Sequence, residues 1–214
     1  MNKQQILIAA LILGGYLLGG VFFCRIIPRV FLHRDITLIS EDGNPGAANV
    51  FIHCGWEVGL CCLLLDMAKG FLPVFCALKY GISSHPAFVL ILLAPVSGHA
   101  FSLFHRFRGG KCIAVIFGEM IALLWITPVG LILAGLYIFF SVAVKINPNR
   151  KRSIVTFSLF APASAIFEGC SGRFSVALGC VLISAVTIYK HVLSKHKKML
   201  PQTEEQDQKE VSHA

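Results

Sequence analysis

From Cys112 to Val144 the chain runs for 33 residues with a single formal charge, Glu119. A helix crossing a bilayer core of about 30 Å needs about 20 apolar residues. The stretch is therefore too long for one span and just sufficient for two short ones, with Thr127-Pro128 and Gly130 supplying the turn. The rest of the chain repeats the pattern. It is 56% hydrophobic and 14% charged, with a mean hydropathy of +0.73, whereas ordinary globular chains carry about a quarter charged residues. A single soluble core is excluded, and the fold class is all-α: a polytopic membrane protein.

Apolar runs at Ile6 to Cys24, Gly55 to Leu78 and Pro86 to Phe104 give three further spans. Ser153 to Tyr189 gives two more when divided at Glu168-Gly169-Cys170-Ser171-Gly172-Arg173, so seven transmembrane helices are expected. The first run is read as a span and not as a signal peptide, because one Lys precedes it, no small-x-small cleavage site follows and more spans come after. Arg25 to Asn49 reads as a polar, basic loop, and 201–214 as a disordered polar tail after one membrane domain over residues 1–200.

Sorting the Lys and Arg residues by alternate loops puts fifteen on one side and only Lys3, Lys79 and Arg173 on the other, with Lys69 inside a span. By the positive-inside rule the C-terminus is cytoplasmic and the N-terminus outside. The net charge of +8 is then a property of the membrane face and no sign of nucleic acid. The eight cysteines are scattered through apolar runs without C-x-x-C spacing. They read as small hydrophobes, with no disulfide, metal site or cofactor expected.

Polar groups at membrane depth are functional suspects, since each is costly unless paired. Asp66 and Lys69 share a helix face at a spacing of three and can form an internal ion pair, or else brace a polar substrate. His99 faces the same choice between structural donor and site residue. Asp42-Gly43-Asn44-Pro45-Gly46-Ala47-Ala48-Asn49 precedes a segment that reads helical, where main-chain N–H groups and a helix N-terminus can bind an anion. Arg106-Phe107-Arg108-Gly109-Gly110-Lys111 joins three cations to two glycines at the same membrane face. Together these loops suit a ligand with a phosphate head and an acyl tail.

The ordered set Gly15-Tyr16-Leu17-Leu18-Gly19, Gly43-Asn44-Pro45-Gly46-Ala47-Ala48-Asn49-Val50, Leu65-Asp66-Met67-Ala68-Lys69-Gly70 and Gly98-His99-Ala100-Phe101, followed by Arg106 to Lys111, resembles the motifs of the bacterial membrane acyltransferases that acylate glycerol 3-phosphate from acyl phosphate. The resemblance covers nearly all of residues 10–200. It implies a compact seven-helix bundle in the bacterial inner membrane. It also implies acyl transfer to the sn-1 hydroxyl of glycerol 3-phosphate, giving lysophosphatidic acid and phosphate, with no cofactor and as a monomer or weak oligomer.

Carried over residue by residue, the resemblance implies that Asn44, Gly46 and Asn49 form a phosphate loop, and that Arg108, Gly109, Gly110 and Lys111 form a second glycine loop. It places Asp66 and Lys69 in a middle motif, and His99, Ser158 and His191 with Lys111 among the reacting groups. No Ser-His-Asp set or H-x-x-x-x-D box is present. Departures from the family pattern cluster at the first loop. Glu41-Asp42-Gly43-Asn44 stands where the family has Gly-Ser-Gly-Asn, Thr37 where it has arginine and Ile52 where a cation is expected. Ala48, Ser102, Cys112, Val115 and Ser194 replace a threonine, proline, glycine, threonine and asparagine. Two carboxylates beside an anion cradle work against anion binding. A divergent paralogue with lost or altered transfer is one alternative. A small-molecule transporter using Asp66, Lys69, His99 and Glu119 is another.

Overall fold

A computed structural model describes residues 2–193, all of them in helices, turns and loops without a strand. The expected tail, the end of the domain at residue 200 and the Ser194 departure lie outside the described residues. The helices are α1 (Lys3–Gly19), α2 (Phe23–Leu32), α3 (Ile36–Ile39), α4 (Ala47–Cys54), α5 (Trp56–Lys79), α6 (Phe88–Ala100), α7 (Ile113–Leu123), α8 (Val129–Ile138), α9 (Asn149–Cys170) and α10 (Phe174–Leu193). A 3₁₀ turn at Leu103–His105 extends α6, and a π-helical turn at Phe139–Ala143 extends α8.

Four segments are long and apolar enough to cross a membrane: α5, α6 with its 3₁₀ extension, α9 and α10. The pair α1 and α2 reaches that length only together, across a bend of 44°. α7 and α8 are shorter apolar helices, separated at the expected turn by Leu124 to Pro128. Exposed Leu13, Leu64, Leu72, Leu131, Ile166 and Leu178 lie along these helices among many other exposed large hydrophobics, a more extensive apolar exterior than the scattered exposed residues of a soluble domain.

The basic stretch from Arg25 to Asn49 is not a plain loop. It folds as α2, α3 and α4 because its apolar residues, though interrupted by arginines, come at helical spacing. In α2, Cys24 and Pro28 face inward while Arg29 is exposed. Asp35 caps α3, accepting from the Thr37 amide at 3.0 Å, and pairs with Arg25 at 3.1 Å. A small core of Cys24, Ile36, Ala47, Val50 and Cys62 then fixes α4 against α5.

The connections sort to two ends of the bundle. The Thr127 hydroxyl between α7 and α8 donates to Glu168, which pairs with Arg173 between α9 and α10. The Ser175 hydroxyl reaches the His85 carbonyl in the α5–α6 connection at 3.4 Å. At the other end gather the loops at 40–46 and 106–112, the start of α9 and the end of α10. Helices α5 and α7 touch backbone to backbone: a Cβ on Gly70 would overlap the Val115 carbonyl, and one on Gly118 the Met67 carbonyl. Small residues at such crossings are the usual means of close helix approach in lipid.

Candidate active site

The loop at 40–46 turns at Gly43, whose φ of +61° is strained for residues with a side chain. Asp42 holds this turn together. One carboxylate oxygen accepts from the Asn44 amide at 3.1 Å and from the Asn49 side chain at 2.8 Å. Asn49 also donates to the Asn44 carbonyl at 2.9 Å, so the first turn of α4 and the loop before it form one hydrogen-bonded unit.

The second glycine loop reaches this unit by packing on α6. The Gly110 amide donates to the His99 carbonyl at 3.0 Å. A Cβ at Gly109 would overlap the His99 and Ala100 carbonyls, and one at Gly110 the His99 ring. The glycines therefore let the loop lie flat against His99 and set Lys111 at the start of α7. Lys111 Nζ stands 2.6 Å from the free carboxylate oxygen of Asp42. Desolvation alone would raise the Asp42 carboxyl, but hydrogen bonds from Lys111 and Asn49 outweigh it and hold the group below the ordinary carboxylate range.

These groups line a cavity of about 550 Å³, with Asn44, Gly46, Asn49, Asp66, His99, Lys111 and His191 all in its wall. Phe51, Leu63, Met67, Ile113 and Phe117 supply the apolar part of its wall. His191 is 2% exposed, and neither ring nitrogen has a hydrogen-bond partner among the described residues. Mostly apolar walls with a few convergent polar groups are the usual make-up of a small-molecule site.

Asp66 and Lys69 pair at 2.8 Å, both about 1% exposed. The lysine also donates to the Val21 carbonyl at 2.7 Å and the Gly19 carbonyl at 3.3 Å, main-chain groups left open where α1 breaks into α2. Lys69 thus braces the bend and stays out of the cavity wall, while Asp66 reaches it. Cys24 does more than fill space, since its thiol donates to Asp66 at 3.1 Å.

Four further expected site residues lie outside the cavity wall. Ser158 is exposed on the outer face of α9 and is not in the cavity wall. Ser153, five residues earlier and about 140° around the helix, lines the cavity instead. Arg108 is exposed and does not line the cavity. Gly109 and Gly110 support Lys111 without lining the cavity.

The structure also adds residues. Arg152, Asn149 and Tyr137 line the cavity, and the Arg152 Nε and Tyr137 hydroxyl are buried without a partner among the described residues. Arg152 donates to the Asn149 side chain one turn back on α9. The available signal was Pro148-Asn149 followed three residues later by arginine at a helix start, which places both on one face.

A family model described as glycerol-3-phosphate acyltransferase matches residues 9–200. The glycerol-3-phosphate acyltransferase of Aromatoleum aromaticum is 31% identical over 190 residues, 88% of this chain and 91% of that protein. That of Maridesulfovibrio salexigens is 31% identical over 169 residues, 78% of this chain and 83% of that protein. Identity with the enzyme of Thermotoga petrophila is 40% over 119 residues, which span 55% of this chain and 58% of that protein. Two crystal structures of PlsY (YgiH), described as an integral membrane glycerol 3-phosphate acyltransferase, are similar in fold. The glycerol 3-phosphate form has a TM-score of 0.72 at 25% identity over 93% of this chain and 98% of that one. The lysophosphatidic acid form has 0.71 at 27% identity over 86% and 87%.

Proposed function

The chain belongs to the glycerol-3-phosphate acyltransferase family, and from that membership we propose how its cavity transfers a fatty acyl group to glycerol 3-phosphate in phospholipid synthesis. The donor is acyl phosphate and the products are lysophosphatidic acid and inorganic phosphate. The observation that carries this reading is that Asp42 gathers Lys111, Asn44 and Asn49 in the wall of a cavity that is otherwise largely apolar. Cations and amides in this wall suit phosphate, and its apolar part suits an acyl chain.

Acyl phosphate is already activated, so the protein chiefly has to bring two anions together and aim a hydroxyl. Lys111, Arg152 and Asn49 offset the repulsion. His191, with both ring nitrogens uncommitted, is placed to hydrogen-bond the acceptor or the leaving phosphate. The glycerol hydroxyl attacks the acyl carbon, the new ester bond forms as the acyl–phosphate bond breaks, and the proton passes to the departing phosphate. His99 and Asp66 shape the wall and Lys69 stiffens its support. Gly46 lets the loop approach, and Gly109 and Gly110 deliver Lys111.

The protein is a multi-pass membrane protein. In our reading α7 and α8 are two short crossings, which with α1, α5, α6, α9 and α10 make seven across a single domain. The N-terminus lies outside and the motif loops lie at the cytoplasmic face of the bacterial inner membrane. The clustering of basic residues at the loop end that holds the cavity supports this orientation, and a monomer or weak oligomer is sufficient because one chain supplies the whole cavity wall.

Offering the purified protein palmitoyl phosphate, palmitoyl coenzyme A or palmitoyl-loaded acyl carrier protein with glycerol 3-phosphate tests the donor. Lysophosphatidic acid forms from the first alone. Equal product from either thioester contradicts the reading. Asp42, lodged in the phosphate cradle, favours a second reading of altered rather than ordinary transfer.

A further inference from the structure

A smaller cavity of about 320 Å³ adjoins the site, with Glu41, His53 and Arg150 in its wall. Asp42, Asn49 and Lys111 line both cavities, so the Asp42–Lys111 pair stands in the partition between them. Asp42 commits both carboxylate oxygens there: one to the Asn44 amide and the Asn49 side chain, the other to Lys111. An ammonium, a side-chain amide and a main-chain N–H are the donors a phosphate would take, and one carboxylate of the protein holds all three. The two side chains are only 17% and 24% exposed, so solvent screens the contact less than it screens a surface pair.

Resting on the acyl-transfer reading, we propose that Asp42 sets the affinity of this site for phosphate: its carboxylate is a resident anion that the phosphate of an entering substrate displaces from Lys111 and Asn49. A phosphate dianion carries more charge and more acceptor oxygens than a carboxylate, so it wins the exchange. Part of its binding energy is used to evict Asp42. The displaced carboxylate faces the outer cavity, where Arg150 and His53 line the wall. The site is thereby selective for dianionic phosphates over carboxylates and monoanions, at the expense of tightness.

Asp42→Asn tests this, because the amide oxygen still accepts from Asn44 and Asn49 while the charge facing Lys111 is gone. Binding of orthophosphate and of glycerol 3-phosphate to the full-length protein in detergent is measured by calorimetry, alongside KM and kcat. The expected result is a dissociation constant for both ligands lower by roughly tenfold or more, and a lower KM for glycerol 3-phosphate with kcat within a few-fold. Glu57→Gln removes the same charge at an exposed position that lines neither cavity, and leaves both constants unchanged. If Asp42→Asn fails to fold, Asp42→Ser is read in its place. Unchanged or weaker phosphate binding in the folded variant overturns the proposal, as does an equal gain in Glu57→Gln. So does a collapse of kcat with binding unaltered. Because orthophosphate binding needs no turnover, tighter binding without product from either protein would refute the reaction alone. Product formation with unaltered phosphate affinity would refute the role of Asp42 alone.

Discussion

Lys69 Nζ lies 3.2 Å from Nδ1 of His99. An ammonium only donates, so Nδ1 accepts and the ring carries its proton on Nε2, the nitrogen that faces Gly110. One buried cation therefore joins the α1–α2 bend, Asp66 and the ring on which the Lys111 loop is laid.

Lys69→Met should destabilise the protein by about 3–5 kcal/mol, because it leaves Asp66 as a buried charge without its partner. Adding Asp66→Asn should recover more than about 1 kcal/mol of that loss. Thermal unfolding in detergent measures both. A double variant no more stable than the single would show that the two residues act separately.

Gly109→Ala should lower transfer on the order of 10²-fold, since its Cβ would meet backbone carbonyls that cannot give way and Lys111 would move. Gly135→Ala on α8, where nothing lies within 4 Å of the added carbon, should keep full activity and gain about 0.5–1 kcal/mol. Equal activity in the two variants would contradict the packing role given to the loop.

Lys111→Ala should cost about 10²–10³ in kcat/KM with folded protein retained, whereas Ser158→Ala, on the outer face of α9, should change it by less than about twofold. Arg152→Lys keeps a charge but loses the planar fork, and should raise KM for glycerol 3-phosphate about tenfold. Steady-state assays in one detergent compare all three, and a Ser158 effect matching that of Lys111 would remove the cavity from the mechanism.

Acidification should leave the Asp42–Lys111 pair closed through the neutral range. A carboxyl held below its ordinary value stays charged, and the stability it contributes is present above the unfolded value and lost only as pH falls through the lowered folded one. Glu41, His53, Lys111, Arg150, Arg152 and His191 surround it. The gain in phosphate affinity from Asp42→Asn should persist from about pH 8 to 6 and widen as phosphate passes to its monoanion, which the charged Asp42 excludes and the amide does not. A difference that vanishes on approaching pH 6 would show that Asp42 titrates there.

Much of the bundle could be read from the chain because long apolar runs end at unmistakable turns, as at Thr127-Pro128 and Ser171 to Arg173. α2 was hidden because Arg25 and Arg29 sit among its apolar residues and made it look like loop. Asn44, Asn49, Lys111 and His191, legible from motif order, line the cavity, whereas Ser158 lies outside its wall, because a helix face is decided by packing and Ser153 has the inward one. Arg152 stands in a run of basic residues, Arg150-Lys151-Arg152, in which the sequence does not single out the one that faces the cavity. Glycines 109 and 110 read from the sequence as allowing the backbone to approach a phosphate, whereas their close contacts are with His99 and Ala100. The carboxylate at Asp42 could be seen as foreign to a phosphate loop, yet its three donors become visible only once α4 and α7 are placed side by side.

The most direct test follows inorganic phosphate released from palmitoyl phosphate by the purified protein, with and without glycerol 3-phosphate. Two anionic headgroups meeting at Lys111 predict release that depends on the acceptor, equals the lysophosphatidic acid formed and is lost in Lys111→Ala. Release that ignores the acceptor, or that survives in Lys111→Ala, would contradict the account.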